Sequence, residues 1–171
     1  MTDTAKPRHA AGTTVGVDRS QAEIKKLLRD HGATGIAFGW RADPPAHVVA
    51  FEIDDRKIRF VLTLPTHESF RVQYRGAVAA RERTPGEIRK VADQEEQRLW
   101  RSLAATIKAR LIAIADHIET VEQAFHAYLV MANGQTLGEW SAPQIAAMYD
   151  SGAMPPILPG LPDAAPPQLT D

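Results

Sequence analysis

Hydrophobic residues alternate with polar or small residues in three consecutive segments of the first half of the chain. A period of two is typical of β-strands with one buried face. Asp54–Arg56 has the composition of a tight hairpin turn, and Asp43–Pro45 that of a looser connection. The sequence therefore predicts a meander of three antiparallel strands. The alternating residues are Ile36, Phe38 and Trp40 in Thr34–Arg41, then Val49, Phe51 and Ile53, then Ile58, Phe60, Leu62 and Leu64.

The opposite face of this predicted sheet has a different chemistry. It would carry small residues such as Gly35, Ala37 and Gly39 on the first strand, and Lys57 and Arg59 on the third. Small side chains let another backbone or a ligand approach closely. Two interpretations stay open at this point: a helix packed on this face, or a platform that binds a ligand.

A first helix is predicted immediately before the meander. Ser20 and Glu23 have the spacing of a capping box, in which each side chain accepts the other residue's backbone N–H. An apolar stripe follows, and Gly32 supplies the left-handed stop. The stripe consists of Ile24, Leu27 and Leu28.

The longest helix is predicted after the meander. Thr84 has the position of its cap, and Pro85 stands at the first helical position, where its missing N–H costs nothing. An apolar line continues to Ile118, so the helix would be about 50 Å long at 1.5 Å per residue. The polar patch Asp93–Arg98 indicates a break, a projection beyond the sheet, or a helix partner.

The last third of the chain predicts shorter elements. Asn-Gly is the strongest short-range hairpin signal, and proline interrupts both helices and central strands. The predicted elements are a short helix at Thr120–Gln123, a hairpin over Tyr128–Trp140 that turns at Asn133 and Gly134, and a last helix from its Ser141 cap to Gly152, with Ile145 and Met148 on its apolar line.

These elements predict an α+β fold in one domain, residues 17–152, between a disordered arm (1–16) and a proline-rich tail (153–171). The length of 171 residues suits one domain. Cysteine is absent, which excludes disulfides and thiolate chemistry. Because the sequence has neither a signal-peptide core nor a membrane-length apolar run, we expect a cytoplasmic protein.

Charge is distributed unevenly along the chain. Residues 56–110 hold 13 Lys or Arg against six Asp or Glu, a balance of +7. Residues 111–171 hold seven acidic residues and no Lys or Arg, a balance of −7. Such asymmetry is typical of a basic binding surface beside an acidic partner-recruiting segment. Folding that interleaves the two segments would neutralise it.

The long connection Pro65–Gly86 interleaves cations with aromatic residues. Single-stranded nucleic acid is bound by cations along its phosphates and by aromatic faces that stack on its bases. A mobile loop and a solvated helix surface explain the same residues without a ligand. The candidate nucleic-acid-binding residues are Arg41, Lys57, Arg59, Phe70, Arg71, Tyr74, Arg75, Arg81, Arg83, Arg98 and Arg101.

Signals for catalysis and cofactors are weak. No two of the six histidines have the spacing of a local metal site, and neither a nucleophile elbow nor a glycine-rich phosphate loop is present. A helix followed by three strands also opens the restriction-endonuclease-like nucleases, but the third strand here, Lys57–Leu64, has no carboxylate for magnesium. We therefore predict no cofactor and no metal, and favour a non-catalytic protein.

Most of the chain resembles a family of small uncharacterised proteins encoded in bacterial prophages and mobile elements. The resemblance carries over neither an established activity nor a catalytic residue. The segments that resemble the family are Arg19–Trp40, Lys57–Pro65, Arg98–Ile114 and Leu137–Gly160, with their most recognisable pieces at residues 35–40, 100–110, 138–144 and 154–160.

A second likeness, of topology alone, is to the single-strand annealing proteins of phage recombination systems. Their core consists of a helix, a three-stranded meander and a long helix across the sheet, and they assemble into rings around a basic groove. Residues 20–118 are similar to this order. The resemblance implies a basic groove between the Arg71–Arg83 connection and the long helix.

Two functional hypotheses follow. The first is a phage-type accessory protein that binds single-stranded DNA or RNA in recombination or replication and forms a homo-oligomer. The second is a protein-interaction or regulatory module, which binds a phage or host protein through its long helix and its acidic C-terminal half. Neither hypothesis involves a membrane.

Overall fold

The structure, a computed structural model, describes residues 9–75 and 79–152, with the backbone but not the side chains of 73–75, 79 and 80. The described residues confirm the predicted α+β class and the order of its elements. The helices are α1 (Val17–Asp30), α2 (Pro85–Ala115), α3 (Val121–Ala124) and α4 (Leu137–Ser151), with 3₁₀ turns at His67–Phe70 and His126–Tyr128, and the strands are β1 (Thr34–Arg41), β2 (Ala46–Ile53), β3 (Arg56–Thr63), β4 (Val72–Arg75) and β5 (Ala79–Glu82).

The predicted meander is confirmed. Strands β1, β2 and β3 form an antiparallel sheet in that order. Ile53 pairs with Arg56 across a two-residue turn, in which both Asp54 and Asp55 have positive φ. That combination defines a type I′ turn, whose twist matches the twist of the strands it joins.

Strand β1 is irregular at its start. Its register against β2 shifts between Thr34 and Ala37, and Gly35 lies there with φ +57°. Such a bulge leaves a residue out of the ladder and increases the local twist. Strand β1 is at the edge of the sheet, so among the described strands the bulged strand pairs with β2 alone.

The hydrophobic core lies between one face of the sheet and helices α1 and α2. Phe51 and Phe60 project from the sheet and stack at 6.4 Å, and both rings contact Phe125 edge-on. The α1 side contributes Ile24 and Leu28, each with no exposed surface. The α2 residues in this core are Trp100, Leu103, Ala104, Ile107 and Leu111.

The start of α1 differs from its prediction. The helix begins one turn earlier, with Gly16 as its N-cap, and Ser20 is buried inside the helix instead of capping it. The apolar stripe explains this, because Val17, two turns before Ile24, also packs against the core and lengthens the stripe. The stop is as predicted: Gly32 has φ +80°, and the Ala33 N–H donates to Leu28 O at 2.9 Å.

Helix α2 is a single helix of 31 residues. Thr84 caps it through a reciprocal capping box with Glu87, as its sequence predicts. No break occurs at Asp93–Arg98, and the helix ends at Ala115, three residues before the predicted Ile118. At 1.5 Å per residue the helix is about 46 Å long. Its buried residues all lie between Trp100 and Leu111, so the N-terminal half extends beyond the core.

The connection Pro65–Gly86 contains structure that the sequence did not predict. Strands β4 and β5 pair antiparallel, with Val72 opposite Glu82. The 3₁₀ turn before them contacts α2. The connection therefore forms a two-stranded ribbon beside the first half of α2.

The structure contains the types of element predicted for the C-terminal part, but their positions differ from the predicted ones. Helix α3 has the predicted Thr120 cap. The predicted hairpin is reduced to one bridge between Val130 and Thr136 around the turn at Gly134. Helix α4 starts at Leu137 with Thr136 as its cap, five residues before the predicted Ser141 cap, and it ends as expected at the left-handed Gly152.

Residues 9–16 lie beside α2. His9 Nδ1 is 3.3 Å from Ser102 Oγ, and Thr13 and Thr14 line a cavity with residues of the N-terminal half of α2. The rest of the predicted arm, residues 1–8, and the predicted tail, residues 153–171, lie outside the described residues.

Candidate functional site

The candidate cations occupy three separate places in the described part of the chain. The first is the β4–β5 ribbon, where Arg71 lies 3.2 Å from Glu68 and 3.6 Å from Glu82. Arg81 contacts Glu87 at 2.5 Å. Arg83 donates to Phe70 O at 2.8 Å and is half-buried. The side chains of the candidates Tyr74 and Arg75 lie outside the described residues.

The second place is α2. Arg98 donates two hydrogen bonds to Glu95, from Nε at 2.9 Å and from Nη2 at 2.8 Å. These hydrogen bonds to the Glu95 carboxylate raise the pKa of Arg98 above its ordinary value. Arg101 forms an ion pair with Glu23 of α1. The Arg101 pair therefore joins α2 to α1, whereas the Arg98 pair lies within α2.

The third place is the face of the three-stranded sheet opposite the core, which we call the outer face. Lys57 and Arg59 lie there because strand residues alternate and Ile58 and Phe60 point into the core. Arg41 follows the same alternation at the end of β1 and donates to Pro44 O at 3.3 Å. The sheet separates these cations from those of α2, so the described candidates do not form one continuous surface.

Arg59 links the outer face to the beginning of α4. Its Nη1 donates to Gly134 O at 2.9 Å, and its Nη2 donates to Glu139 Oε2 at 2.8 Å. The Thr136 backbone N–H also donates to Glu139, and this bond is the main cause that lowers the pKa of Glu139, with Arg59 adding to it. A cation predicted to bind phosphate is here paired with a carboxylate of the acidic C-terminal segment.

Helix α4 is firmly held at its N-terminus and exposed along the rest of its length. A Cβ on Gly138 would lie 2.8 Å from Ala127 O, so the helix backbone packs directly against the preceding 3₁₀ turn. From Ala142 onward every described residue of α4 is exposed. Its large apolar side chains are between 39% and 67% exposed, and they are Trp140, Ile145, Met148 and Tyr149.

Three of the exposed apolar residues of α4 lie close together on the helix surface. Ile145, Met148 and Tyr149 are three and four residues apart, so their side chains are neighbours. Trp140 lies about 80° from Met148 around the helix axis and opposite Tyr149, so it is outside this group. Glu139 and Asp150 lie on the other side, at about 100° per residue. Ile145, Met148 and Tyr149 therefore form one patch, which we call the α4 patch.

The outer face is a second apolar surface that no described helix covers. Val48, Ala50 and Val61 lie at its centre and are half-buried by their neighbours within the sheet. Ala37 pairs with Ala50 and is exposed. At one end lies a cavity of about 290 Å³, lined in part by Glu52, Lys57 and Val130. Within residues 9–75 and 79–152, no helix packs on this face.

A polar and aromatic cluster, which the sequence did not predict, joins the sheet to α2. His47 Nε2 lies 2.7 Å from Glu96 Oε1. The His47 ring lies 5.1 Å from the Trp100 ring and 4.8 Å edge-on from Trp40. A hydrogen bond between residues 49 positions apart has no local sequence signal. This cluster binds the end of the sheet to the middle of the long helix.

The described residues contain no group of three or more His, Cys, Asp or Glu side chains that could hold a metal ion. Among the helices of residues 9–75 and 79–152, none is long and apolar enough to cross a membrane. Comparisons with protein-family models, with curated proteins and with solved structures found no match to this chain.

Proposed function

We propose that this chain is a protein-interaction module that presents α4 to a partner protein. The observation that carries the proposal is the α4 patch, which consists of large apolar side chains on a helix without a buried residue. Helices with an apolar surface are normally packed against another element, and contiguous exposed apolar patches mark interaction sites.

The contacts that attach the first turn of α4 to the rest of the fold support this role. A helix that binds a partner loses less entropy when it is already formed and oriented. Here the capping box between Thr136 and Glu139 fixes the first turn, and the Arg59–Glu139 ion pair ties that turn to the sheet. The free part of α4 is thus presented from a rigid base.

The test is site-specific photocrosslinking in the cells that encode the protein. A benzophenone amino acid at position 148, in place of Met148, should yield one dominant crosslinked adduct with the partner protein. Mass spectrometry identifies that partner. Adding the change Ile145→Asp should abolish the adduct. The matched control carries the probe at Lys25, an exposed position on α1. Equal adducts from both positions, or none from Met148, would contradict the proposal.

A second candidate function is binding of single-stranded nucleic acid at the β4–β5 ribbon, as a phage-type accessory protein would do. Arg71 and Arg81 are 53% and 58% exposed there, beside Phe70. Their ion pairs with carboxylates are equally open to solvent, and exposed pairs contribute at most about 1 kcal/mol. A phosphate can therefore replace the carboxylates at little cost.

A labelled single-stranded oligonucleotide tests this second function. Its mobility should shift at about 50 mM salt and much less at about 200 mM, because binding releases counterions from the phosphates. The double change Arg71→Ala and Arg81→Ala should remove the shift. The control pair, Lys25→Ala and Arg29→Ala on α1, should retain it. A chain that produces no shift at low salt does not have this function.

A further inference from the structure

Strand β3 lies at one edge of the three-stranded sheet, and part of that edge is unpaired. On the side away from β2, the C-terminal part of the chain meets β3 at Ile58, where the Val130 N–H donates to Lys57 O at 2.8 Å. Backbone groups of a strand point alternately to its two sides, so those of Val61 and Thr63 also point away from β2. Within residues 9–75 and 79–152, no group forms a hydrogen bond with the Val61 backbone.

This unpaired edge faces a groove between β3 and α2, which we call the β3 groove. Its volume is about 240 Å³, and its lining includes Phe60 and Val61 of β3 and Ser102 and Thr106 of α2. Tyr128 also lines it and stacks on Phe60 at 4.0 Å. Phe60 is buried and Thr106 is exposed, so the groove has an apolar floor and an open mouth. An extended peptide binds to such an edge through its own backbone and places alternate side chains in the groove.

The N-terminal end of the described chain lies at the mouth of the β3 groove. His9 Nδ1 is 3.3 Å from Oγ of Ser102, which lines the groove. Thr13 and Thr14 line a cavity with residues 90–97 of α2. From Thr14 back to His9 the chain therefore follows α2 towards the groove, and residues 1–8 continue from that point.

We propose that residues 1–8 bind in the β3 groove as a fourth strand of the sheet, hydrogen-bonded to the unpaired edge of β3. Eight extended residues span about 26 Å at 3.3 Å per residue, and the open stretch of β3, residues 59–63, measures about 13 Å. The segment is thus long enough, and its attachment at His9 keeps it at a high effective concentration near the groove. The edge that it covers is then closed to strands of other chains.

Pro7 determines which residues of the segment face β3. Proline has no N–H, and an edge strand tolerates it where that N–H would point away from the neighbouring strand. The backbone groups of the next residues on either side, Lys6 and Arg8, therefore point to β3. Thr2 and Thr4 precede them, and threonine is common in strands.

The first test is hydrogen exchange of the full chain, followed by NMR. The Val61 and Thr63 amides should exchange at least about tenfold more slowly in the full chain than in a variant that lacks residues 2–8. The Phe38 and Trp40 amides are the matched control. They point away from β2 on the opposite edge of the sheet, and their exchange should be the same in both chains. A Val61 amide that exchanges at one rate in both chains overturns the proposal.

The second test is a disulfide crosslink, which the absence of native cysteine makes unambiguous. An extended chain places Lys6 about 10 Å beyond His9, and Thr106 lies about 6 Å beyond Ser102 along α2. Oxidation of the variant Lys6→Cys with Thr106→Cys should therefore crosslink most of the protein within single chains.

The control for this crosslink is Lys6→Cys with Lys108→Cys. Lys108 is also exposed, but it lies about 200° around α2 from Thr106. Because a disulfide requires Cα atoms within about 7 Å of each other, this pair should remain reduced. Equal yields from the two pairs overturn the proposal, and so does a crosslink that forms between chains alone.

The third test distinguishes strand pairing from looser contact. Lys6→Pro removes an N–H that faces β3, and it should accelerate Val61 exchange about tenfold. Ala5→Pro is the matched control, since its N–H points away from β3 like that of Pro7, and it should change this exchange less than about twofold. Thermal unfolding of each variant checks that the fold is intact. Equal acceleration by the two prolines overturns the fourth strand.

Discussion

Helices α2 and α4 begin in the same way and end in different environments. Each follows a Thr-x-Gly-Glu sequence, Thr84–Glu87 and Thr136–Glu139, and each has a complete capping box. Five residues of α2 are buried in the core, whereas α4 buries none. The cap determines where a helix starts, and the surrounding tertiary structure determines whether its apolar residues are covered. The difference between the two helices points to α4 as the surface available for a partner.

The strongest test of this comparison changes the same residue type in both helices. Ile107→Ala removes a fully buried side chain and should lower the free energy of unfolding by about 2–5 kcal/mol. Ile145→Ala changes an exposed side chain and should shift it by no more than about 0.5 kcal/mol. Urea unfolding, in solutions dilute enough to exclude association, measures both. Equal losses would show that α4 is part of the core.

A smaller effect is expected at the equivalent glycines in the first turn of each helix. Gly138→Ala places a Cβ 2.8 Å from Ala127 O, and this overlap should destabilise the protein by about 1–3 kcal/mol. Gly86→Ala meets no atom within 4 Å, and replacing glycine in a helix should be neutral or stabilising by up to about 1 kcal/mol. Thermal unfolding of the two variants compares them directly. If Gly138→Ala is tolerated as well as Gly86→Ala, α4 is not held by the 3₁₀ turn.

The smallest expected effect is on the pH dependence of stability, through Glu87 in the first turn of α2. The backbone N–H of Thr84 and then the Arg81 side chain donate to Glu87 and lower its pKa from near 4.5 to about 2. A carboxyl group whose pKa is lowered by folding stabilises the protein fully above the unfolded value, and this contribution is lost as the pH falls from about 4.5 towards 2. Glu87→Gln should therefore lose less stability than the unchanged chain over that interval. NMR titration of Glu87 gives its pKa directly, and a value near 4.5 would contradict the contacts.

The sheet and the long helix could be predicted because their signals are local. The alternation in Thr34–Arg41 and the Asp54–Asp55 turn depend on neighbouring residues, and both match the structure. The start of α4 carried an equally local signal, since Thr136 and Glu139 have the same spacing as Thr84 and Glu87. The Asn133-Gly134 turn competed with it, because a hairpin extended to Trp140 would occupy the same residues.

The environment of the candidate site could not be predicted from the sequence, because it depends on distant partners. Nothing near Arg59 in the chain indicates that its guanidinium meets Glu139, 80 residues later. The same holds for Arg101 and Glu23, 78 residues apart. The net charge counted for each segment of the sequence is correct. Folding, however, pairs several of these cations with carboxylates. The prediction of nucleic-acid binding therefore remains a prediction.

The bulge at Gly35 has a consequence for the exposed edge of the sheet. A straight outermost strand offers unpaired N–H and C=O groups on which a further strand can add, and repeated addition leads to open-ended fibres. The displaced register between Thr34 and Ala37 interrupts that row of groups on β1. Addition of a further strand at this edge, and with it growth through continuous hydrogen-bonded ribbons, is thereby discouraged.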